Sequence, residues 1–524
     1  MDHSVKKIVI VGGGSAGWLT AGLLASELRG DDRLPVDITL VESPDVKTIG
    51  VGEGTWPTMR ETLRKIGLSE VEFLRRCTAS FKQGTQFLGW VSGADDDRYY
   101  HPFSAPVGYG ELNVVPHWQE QRDRVSFTDA VSVQGYLCDR DLAPKQQATP
   151  EYAFVANYGY HLDAGKFAEL LQEHCTRNLG VVHVRDHVTG VNGEPDGDIV
   201  SVTTARTGDL AGDLFIDCTG LKALLLGEHF GVPFVSRGDA LFNDSALAVQ
   251  VPYASSDSPI ASQTNSTAQS AGWIWDIGLQ KRRGVGYTYS SAHTSDAEAE
   301  QVLRAYVTAT GGADADALEP RKIAFESGHR QSFWHRNCVA VGMSAGFLEP
   351  LEASALVMIE LAGKMIGEEF PARRSAMDIV ARRYNEVFTY RWNRIIDFLK
   401  LHYVLSNRDD SEFWQENRRS ESIPDSLAEL LDLWRNRPPW LNDLARQDEV
   451  FSAASYQYVL YGMGFESDVR RTARYFDESE GARRLFVKNN QQANQIIRGL
   501  PGNRELLTAL CGEAHPVDSG GNET

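Results

Sequence analysis

Gly12, Gly14 and Gly17 stand in the spacing G-x-G-x-x-G, and Glu42 follows 25 residues after the last of them. Such a set can hold a pyrophosphate. The first glycine permits a tight turn, the second lets the backbone approach phosphate oxygens, and the third lets the following helix pack closely. Ser15 and Ala16 lie within this spacing, and the N–H groups at the start of the helix that follows favour negative charge. Glu42 closes the next strand and would accept hydrogen bonds from ribose hydroxyls. Dinucleotide binding is therefore expected. The fingerprint does not separate FAD from NAD, because both present the same adenosine diphosphate half.

The elements that must position these groups can be read from pattern. Residues 7–11 are apolar and largely β-branched, residues 18–28 suit a buried helix, and residues 36–41 form a second strand, which together make a βαβ-like start. Between residues 182 and 215, Val, Thr, Gly and Asp recur at turn-like spacing, predicting β-hairpins followed by a strand that ends at Asp217. A further apolar strand at 338–341 runs into a glycine turn and then a helix beginning near Ser354. From residue 376 to about 436 the large apolar residues fall at helical spacing, so the C-terminal third should be mainly helical. The expected fold class is α/β, a Rossmann-like unit plus a β-rich region, with a helical C-terminal region. The expected organisation is a nucleotide-binding core over 1–375, a helical region over 376–514 that completes the substrate pocket, and a disordered tail over 515–524.

Bulk composition excludes several classes. The 524 residues carry a formal net charge of −19, which argues against nucleic acid or an anionic membrane as partner. Lys281, Arg282 and Arg283 read as a solvated turn. The six cysteines are scattered without paired spacing, so neither a metal site nor a disulfide framework is expected. No apolar run suits a membrane span and no targeting segment opens the chain, so the expected location is the cytoplasm.

Later segments favour FAD. Residues 213–220 (DLFIDCTG) resemble the strand that returns to the flavin in two-domain flavoproteins, and Gly342 and Gly346 bound a second glycine loop at a similar place. The stretch Trp273-Ile274-Trp275-Asp276-Ile277-Gly278 is similar to the W-x-W-x-I-P motif of flavin-dependent halogenases of the tryptophan halogenase family, with Gly278 in place of proline. Residues 80–85 (SFKQGT) put Lys82 where that family keeps its catalytic lysine. Residues 347–354 (FLEPLEAS) resemble its P-L-E-S-T-G stretch, with Glu352 on the catalytic glutamate and Ala355 where the family has glycine. Gly50, Val51, Gly52 and Glu53 resemble its flavin-contacting strap, and residues 160–165 (YHLDAG) match a further segment. The matches run in the family's order from the N-terminus to about residue 465.

The resemblance implies an FADH2-dependent enzyme that uses O2 and chloride or bromide to make hypohalous acid. Backbone N–H groups at Ser354 and Ala355 would hold the halide. Lys82 would receive the oxidised halogen, as a haloamine or through a hydrogen bond, and burial would favour its neutral amine. Glu352 would orient the donor and take the ring proton. His101, Phe103, Trp273, Trp275 and Tyr456 are the expected substrate-pocket residues, around an indole or related electron-rich arene. No acidic residue lies between Phe451 and Phe465, where tryptophan-specific members hold their amino acid. Reduced flavin would come from a separate reductase, and a homodimer is among the assemblies the sequence leaves open. Other readings stay open: an aromatic monooxygenase on the same flavin framework, a silent flavin-binding protein, and a halogenase acting on free tryptophan or a carrier-bound substrate. The first needs no lysine in a tunnel, and the second would have lost Lys82 or Glu352.

Overall fold

The computed structural model describes residues 3–28, 35–45, 52–312, 315–446, 448–469 and 475–512. Lys7–Val11, an apolar and fully buried run after its first residue, forms the centre of a six-stranded sheet. Leu214–Asp217 and Asp37–Glu42 flank it in parallel, followed outward by Cys338–Ala340 and Val182–Arg185. Trp334–His335 closes one edge antiparallel. The helices Ser15–Leu28, Ala164–Asn178 and Ser354–Glu368 pack together beside this sheet. Parallel strands joined this way leave their carboxyl ends free at one edge, where ligands bind in doubly wound folds. The expected hairpins are present as Val188–Asn192, Ser201–Thr204 and Gly208–Ala211.

A seven-stranded sheet forms the second layer. It carries Gly272–Gly278 between Arg282–Tyr289 and Thr264–Gln269, and Gly84–Leu88 pairs with Arg98–Pro102 at the far edge. A small antiparallel sheet of Gly52–Gly54, Gly159–Asp163 and Ser80–Lys82 lies beside it, with Gly52 in van der Waals reach of Ile277. The 31-residue helix Arg374–Val404 leads the C-terminal region, followed by Glu412–Asn417, Asp425–Asn436, Ala453–Gly462, Tyr475–Ile497 and Asn503–Cys511. The main hydrophobic core is continuous from Val5 to Leu507.

Two expectations change. The helical run from 376 to 436 is divided after Val404, where Ser406 Oγ donates to the Trp90 carbonyl and Asn407 N to that of Val91. Arg282 and Arg283 are not a solvated turn. They open a strand and pair with Asp163 and Asp276 at 2.7 and 2.6 Å, with their side chains largely covered. Asp163, distant in sequence, and Asp276, across the adjacent strand, neutralise what reads locally as a basic patch. Gly50, Val51 and the tail from residue 515 lie outside the described residues. Among the described residues no helix is long and apolar enough to cross a membrane.

Candidate functional site

The glycine turn has the shape its sequence implies. Gly12 adopts φ +113°, and a Cβ there would fall 2.2 Å from the Cys218 carbonyl oxygen. A Cβ on Gly17 would fall 1.9 Å from the Gly12 carbonyl oxygen, so the helix Ser15–Leu28 approaches the turn only because Gly17 lacks one. At Gly14 a Cβ would meet nothing within 4 Å. The space in front of that residue is open, and the first turn of the helix brings no acidic side chain to it. Those features fit a pyrophosphate against the helix N-terminus. Ser15 Oγ donates to the Ala164 carbonyl, and Gly342, at φ +75°, comes so close to Ala16 that a Cβ would lie 2.7 Å from its methyl group. Gly346 is equally tight against the Gly328–Arg330 strand. Glu42 ends its strand as expected, with Oε1 2.8 Å from His183 Nε2. Glu53 lies in the small sheet opposite Leu162, and burial pushes its carboxyl up to about 7.

Lys82 and Glu352, 270 positions apart in sequence, are buried close together. Gly54 lies between their segments: a Cβ there would sit 3.0 Å from Lys82 Nζ and 3.2 Å from Ala353 Cβ. Among the described residues Lys82 Nζ forms no hydrogen bond or ion pair; its nearest charged influence is Glu352, and the Phe103 ring lies 5.5 Å away. Burial lowers the Lys82 ammonium to about 8 against the opposing pull of Glu352.

Glu352 and Ala353 both adopt left-handed backbone, at φ 64° and 55°. Two consecutive non-glycine residues in that region cost on the order of 1–2 kcal/mol each. Trp56 Nε1 donates to the Glu352 carbonyl at 2.8 Å, and Ala353 N to the Pro350 carbonyl at 3.0 Å, which hold the turn. The turn feeds the helix Ser354–Glu368, so the unpaired N–H groups of Ser354 and Ala355 stand at its start. On the side chain, Glu352 Oε1 lies 2.7 Å from His101 Nδ1 and 3.3 Å from His402 Nε2. Burial raises the Glu352 carboxyl, but the two imidazoles outweigh it and hold the group well below the usual carboxylate range.

Aromatic rings close the space around this pair. His101 lies near Phe398, Phe451 and Tyr458, and Phe398 stacks on Phe451 at 3.7 Å. Tyr456 stands one ring further back, edge-on to Phe398 and against Trp434. Trp273 and Trp275 share one face of their strand, 6.2 Å apart, with Trp275 lying flat over Gly286.

The model of a family described as tryptophan halogenase matches residues 7–478. The chain belongs to the tryptophan halogenase family. It is 33% identical to the tryptophan 6-halogenase SttH of Streptomyces toxytricini, over 96% of this chain and 98% of that one. A solved tryptophan halogenase from Shewanella frigidimarina superposes with a TM-score of 0.94 at 50% identity, covering 97% of this chain and 98% of its own. BrvH, a flavin-dependent halogenase from Brevundimonas sp. BAL3, superposes at 0.85 with 31% identity, over 97% and 99%. The protein is an enzyme, a flavin-dependent halogenase.

In this halogenase the sequence missed the residues that hold the expected ones in place. Glu349, three positions before Glu352, is fully enclosed and accepts hydrogen bonds from Trp273 Nε1 at 3.0 Å, Tyr403 Oη at 2.8 Å and Asn243 Nδ2 at 2.5 Å. Burial raises its carboxyl against those donors. The carboxylate thus fixes the indole of the first motif tryptophan. Its place in the F-L-E-P-L-E run was a legible signal. His402, Tyr403 and Phe398 carried none, because they sit in a helix whose apolar periodicity is explained by packing alone, and nothing in the type of Trp56 marks it beside its Gly-rich neighbours.

Proposed function

We propose that the halogenase binds FAD at the glycine turn and halogenates a neutral, electron-rich arene, such as indole, held between Lys82 and Glu352. The observation that carries this reading is the pairing of an unbonded, buried amine with a buried carboxylate inside an aromatic slot. Reduced FAD, when bound, supplies with O2 the oxidising equivalents that turn chloride or bromide into hypohalous acid. Gly12, Gly14, Ser15, Ala16 and Gly17 would hold its pyrophosphate, Glu42 its ribose, and Gly52, Glu53, Gly342 and Gly346 its surroundings. The N–H groups of Ser354 and Ala355 would hold the halide.

The protein's own steps follow from the geometry. Lys82, with its ammonium lowered to about 8, reaches the neutral amine at mild pH. The amine takes the halogen from hypohalous acid: an N–X bond forms and water leaves. The arene takes the halogen from that nitrogen, its C–H proton passes to Glu352, and the lysine regains its amine with that proton. His101, Phe103, Phe398 and Phe451 orient the ring, while Trp273 and Trp275 would separate it from a bound flavin. The segment from Phe451 to Phe465 contains neither acid nor base, so it offers no charged partner for the ammonium and carboxylate of free tryptophan. Reduced flavin is supplied by a separate reductase.

Mass spectrometry tests this reading. Indole, tryptophan and a panel of neutral arenes are incubated with the protein, FAD, a flavin reductase, NADH, oxygen and either halide. The expected result is a halogen isotope pattern on indole or another neutral arene, dependent on halide, with tryptophan used less well. Hydroxylated products that form without halide would make the enzyme a monooxygenase instead.

A further inference from the structure

His402 sits on the last turn of the helix Arg374–Val404 and has no exposed surface. Its Nδ1 lies 2.9 Å from the Phe398 carbonyl oxygen, which can only accept, so Nδ1 carries a proton. Its Nε2 lies 3.3 Å from Glu352 Oε1. With Nδ1 already protonated, a neutral His402 would turn a lone pair toward a carboxylate oxygen at that distance. The contact becomes attractive only when Nε2 is protonated as well. The rings of Phe398, Phe87 and Trp90 surround the imidazole at 5.3, 4.8 and 5.9 Å, and among the described residues the polar contacts of its two nitrogens are that carbonyl and that carboxylate.

The other charged or titratable groups around the pair are few. Glu352 faces His101 and Tyr99 from the Arg98–Pro102 strand and Lys82 from Ser80–Lys82. His402 is also within electrostatic reach of Glu349, whose oxygens are taken by Trp273, Asn243 and Tyr403. One helix turn therefore reaches both carboxylates of the 347–354 loop: Tyr403 donates to Glu349, and the buried His402 Nε2, which completes no hydrogen bond, lies 3.3 Å from Glu352 Oε1. Both imidazoles converge on Glu352 Oε1, and no described residue donates to Oε2.

We propose that His402 is a positioning residue of this halogenase, an imidazolium whose Nε2 proton holds Glu352 Oε1 and keeps Oε2 ionised and turned to the ring proton. This rests on the reading of Glu352 as the proton acceptor. With His101 alone the carboxylate would be held by one donor and free to turn about it; two donors on one oxygen fix which oxygen faces the substrate.

Histidine-selective isotope labelling of the cofactor-free protein tests the charge state directly. The His402 signals are assigned by their absence from His402→Gln. At neutral pH both ring nitrogens of His402 should be protonated in the wild type, and the Nε2 proton should be lost in Glu352→Gln. Kinetics tests the consequence. His402→Leu should lower kcat by roughly tenfold with KM for the arene unchanged, and move the acid limb of the kcat profile to higher pH, because Glu352 is less strongly held as the carboxylate. His402→Gln, which can still present an N–H to Glu352, should recover part of both effects, and matching thermal melts would exclude a folding defect. A neutral His402 in the wild-type spectrum, or a His402→Leu profile that superposes on the wild type, would overturn the proposal while leaving Glu352 in its role. Wild-type halogenation by Glu352→Gln would overturn that role and the proposal with it.

Discussion

The nucleotide end and the Lys82–Glu352 end of this halogenase are built from different materials. At the first, most of the working groups are main-chain N–H bonds and missing side chains: Gly12, Gly14 and Gly17 matter for the Cβ atoms they do not carry, with Glu42 the one side chain added. At the second, apart from the N–H groups of Ser354 and Ala355, the working groups are side chains, gathered from the strands Ser80–Lys82 and Arg98–Pro102, a left-handed turn at Glu352 and the end of a long helix. The backbone site can be made within one local segment. The side-chain site has to be assembled by the tertiary fold, and its electrostatics depend on burial that no single segment supplies. The two ends should therefore respond separately to substitution.

The largest separation is expected for the chemistry. Lys82→Ala and Glu352→Gln should each lower arene halogenation by on the order of 10²-fold or more, while FAD affinity, followed by flavin fluorescence quenching, stays at the wild-type level. Parallel loss of FAD binding would join the two ends into one unit. The reverse substitution is Gly14→Ala. Its new methyl group meets no protein atom within 4 Å, so the cofactor-free melt should be unchanged while FAD binding weakens several-fold, because the methyl group stands where a pyrophosphate approaches. Unchanged FAD affinity would place the pyrophosphate elsewhere.

Smaller effects appear in stability. The folded state lowers the Lys82 ammonium from 10.5 to about 8, so between these values the unfolded chain binds more protons and stability rises with pH. Below about 8 the folded protein carries the whole cost of the buried charge. Lys82→Met should thus be more stable than the wild type at neutral pH by roughly 3 kcal/mol, a gain that fades toward pH 10.5. Thermal melts across that range check it, and an equal or lower Tm at neutral pH would mean the amine is not strained by burial.

Glu360 tests the seam between the ends. It lies on Ser354–Glu368, takes hydroxyl hydrogen bonds from Thr58 at 2.9 Å and Thr62 at 2.6 Å, and burial raises its carboxyl to about 7. A raised carboxyl contributes stability that is complete below 4.5 and lost as pH rises through about 7. Glu360→Gln should remove that slope and gain about 2 kcal/mol above neutrality, after allowing for one weakened hydrogen bond. A melt that keeps its slope would assign the pH dependence to other groups.

How much was legible follows the same division. The glycine spacing, the acid ending the second strand and the returning strand at Asp217 are all local patterns, and the fold reproduces them. Lys82 and Glu352 were legible only because flanking motifs resemble a family; a lone lysine in SFKQGT carries no chemistry by itself. His402 stood in IIDFLKLHYV, where a helical apolar period hides any polar residue that faces inward. Arg282 and Arg283 misled because Asp163, the partner of the first, comes from another sheet, and because Asp276 sits across a strand pair. Tyr456 was expected to line the pocket and stands behind Phe398, a depth that helical spacing does not encode.

The most direct test of the two-ended account measures both products of one reaction. Wild-type protein and Lys82→Ala are supplied with FAD, reductase, NADH, oxygen, bromide and indole, and hypohalous acid released to solution is trapped while halogenated indole is counted. The account predicts that Lys82→Ala still yields trapped hypohalous acid at the wild-type rate of oxidant formation but almost no halogenated indole formed in the protein. Wild-type levels of halogenated indole from Lys82→Ala, undiminished by the trap, would contradict it.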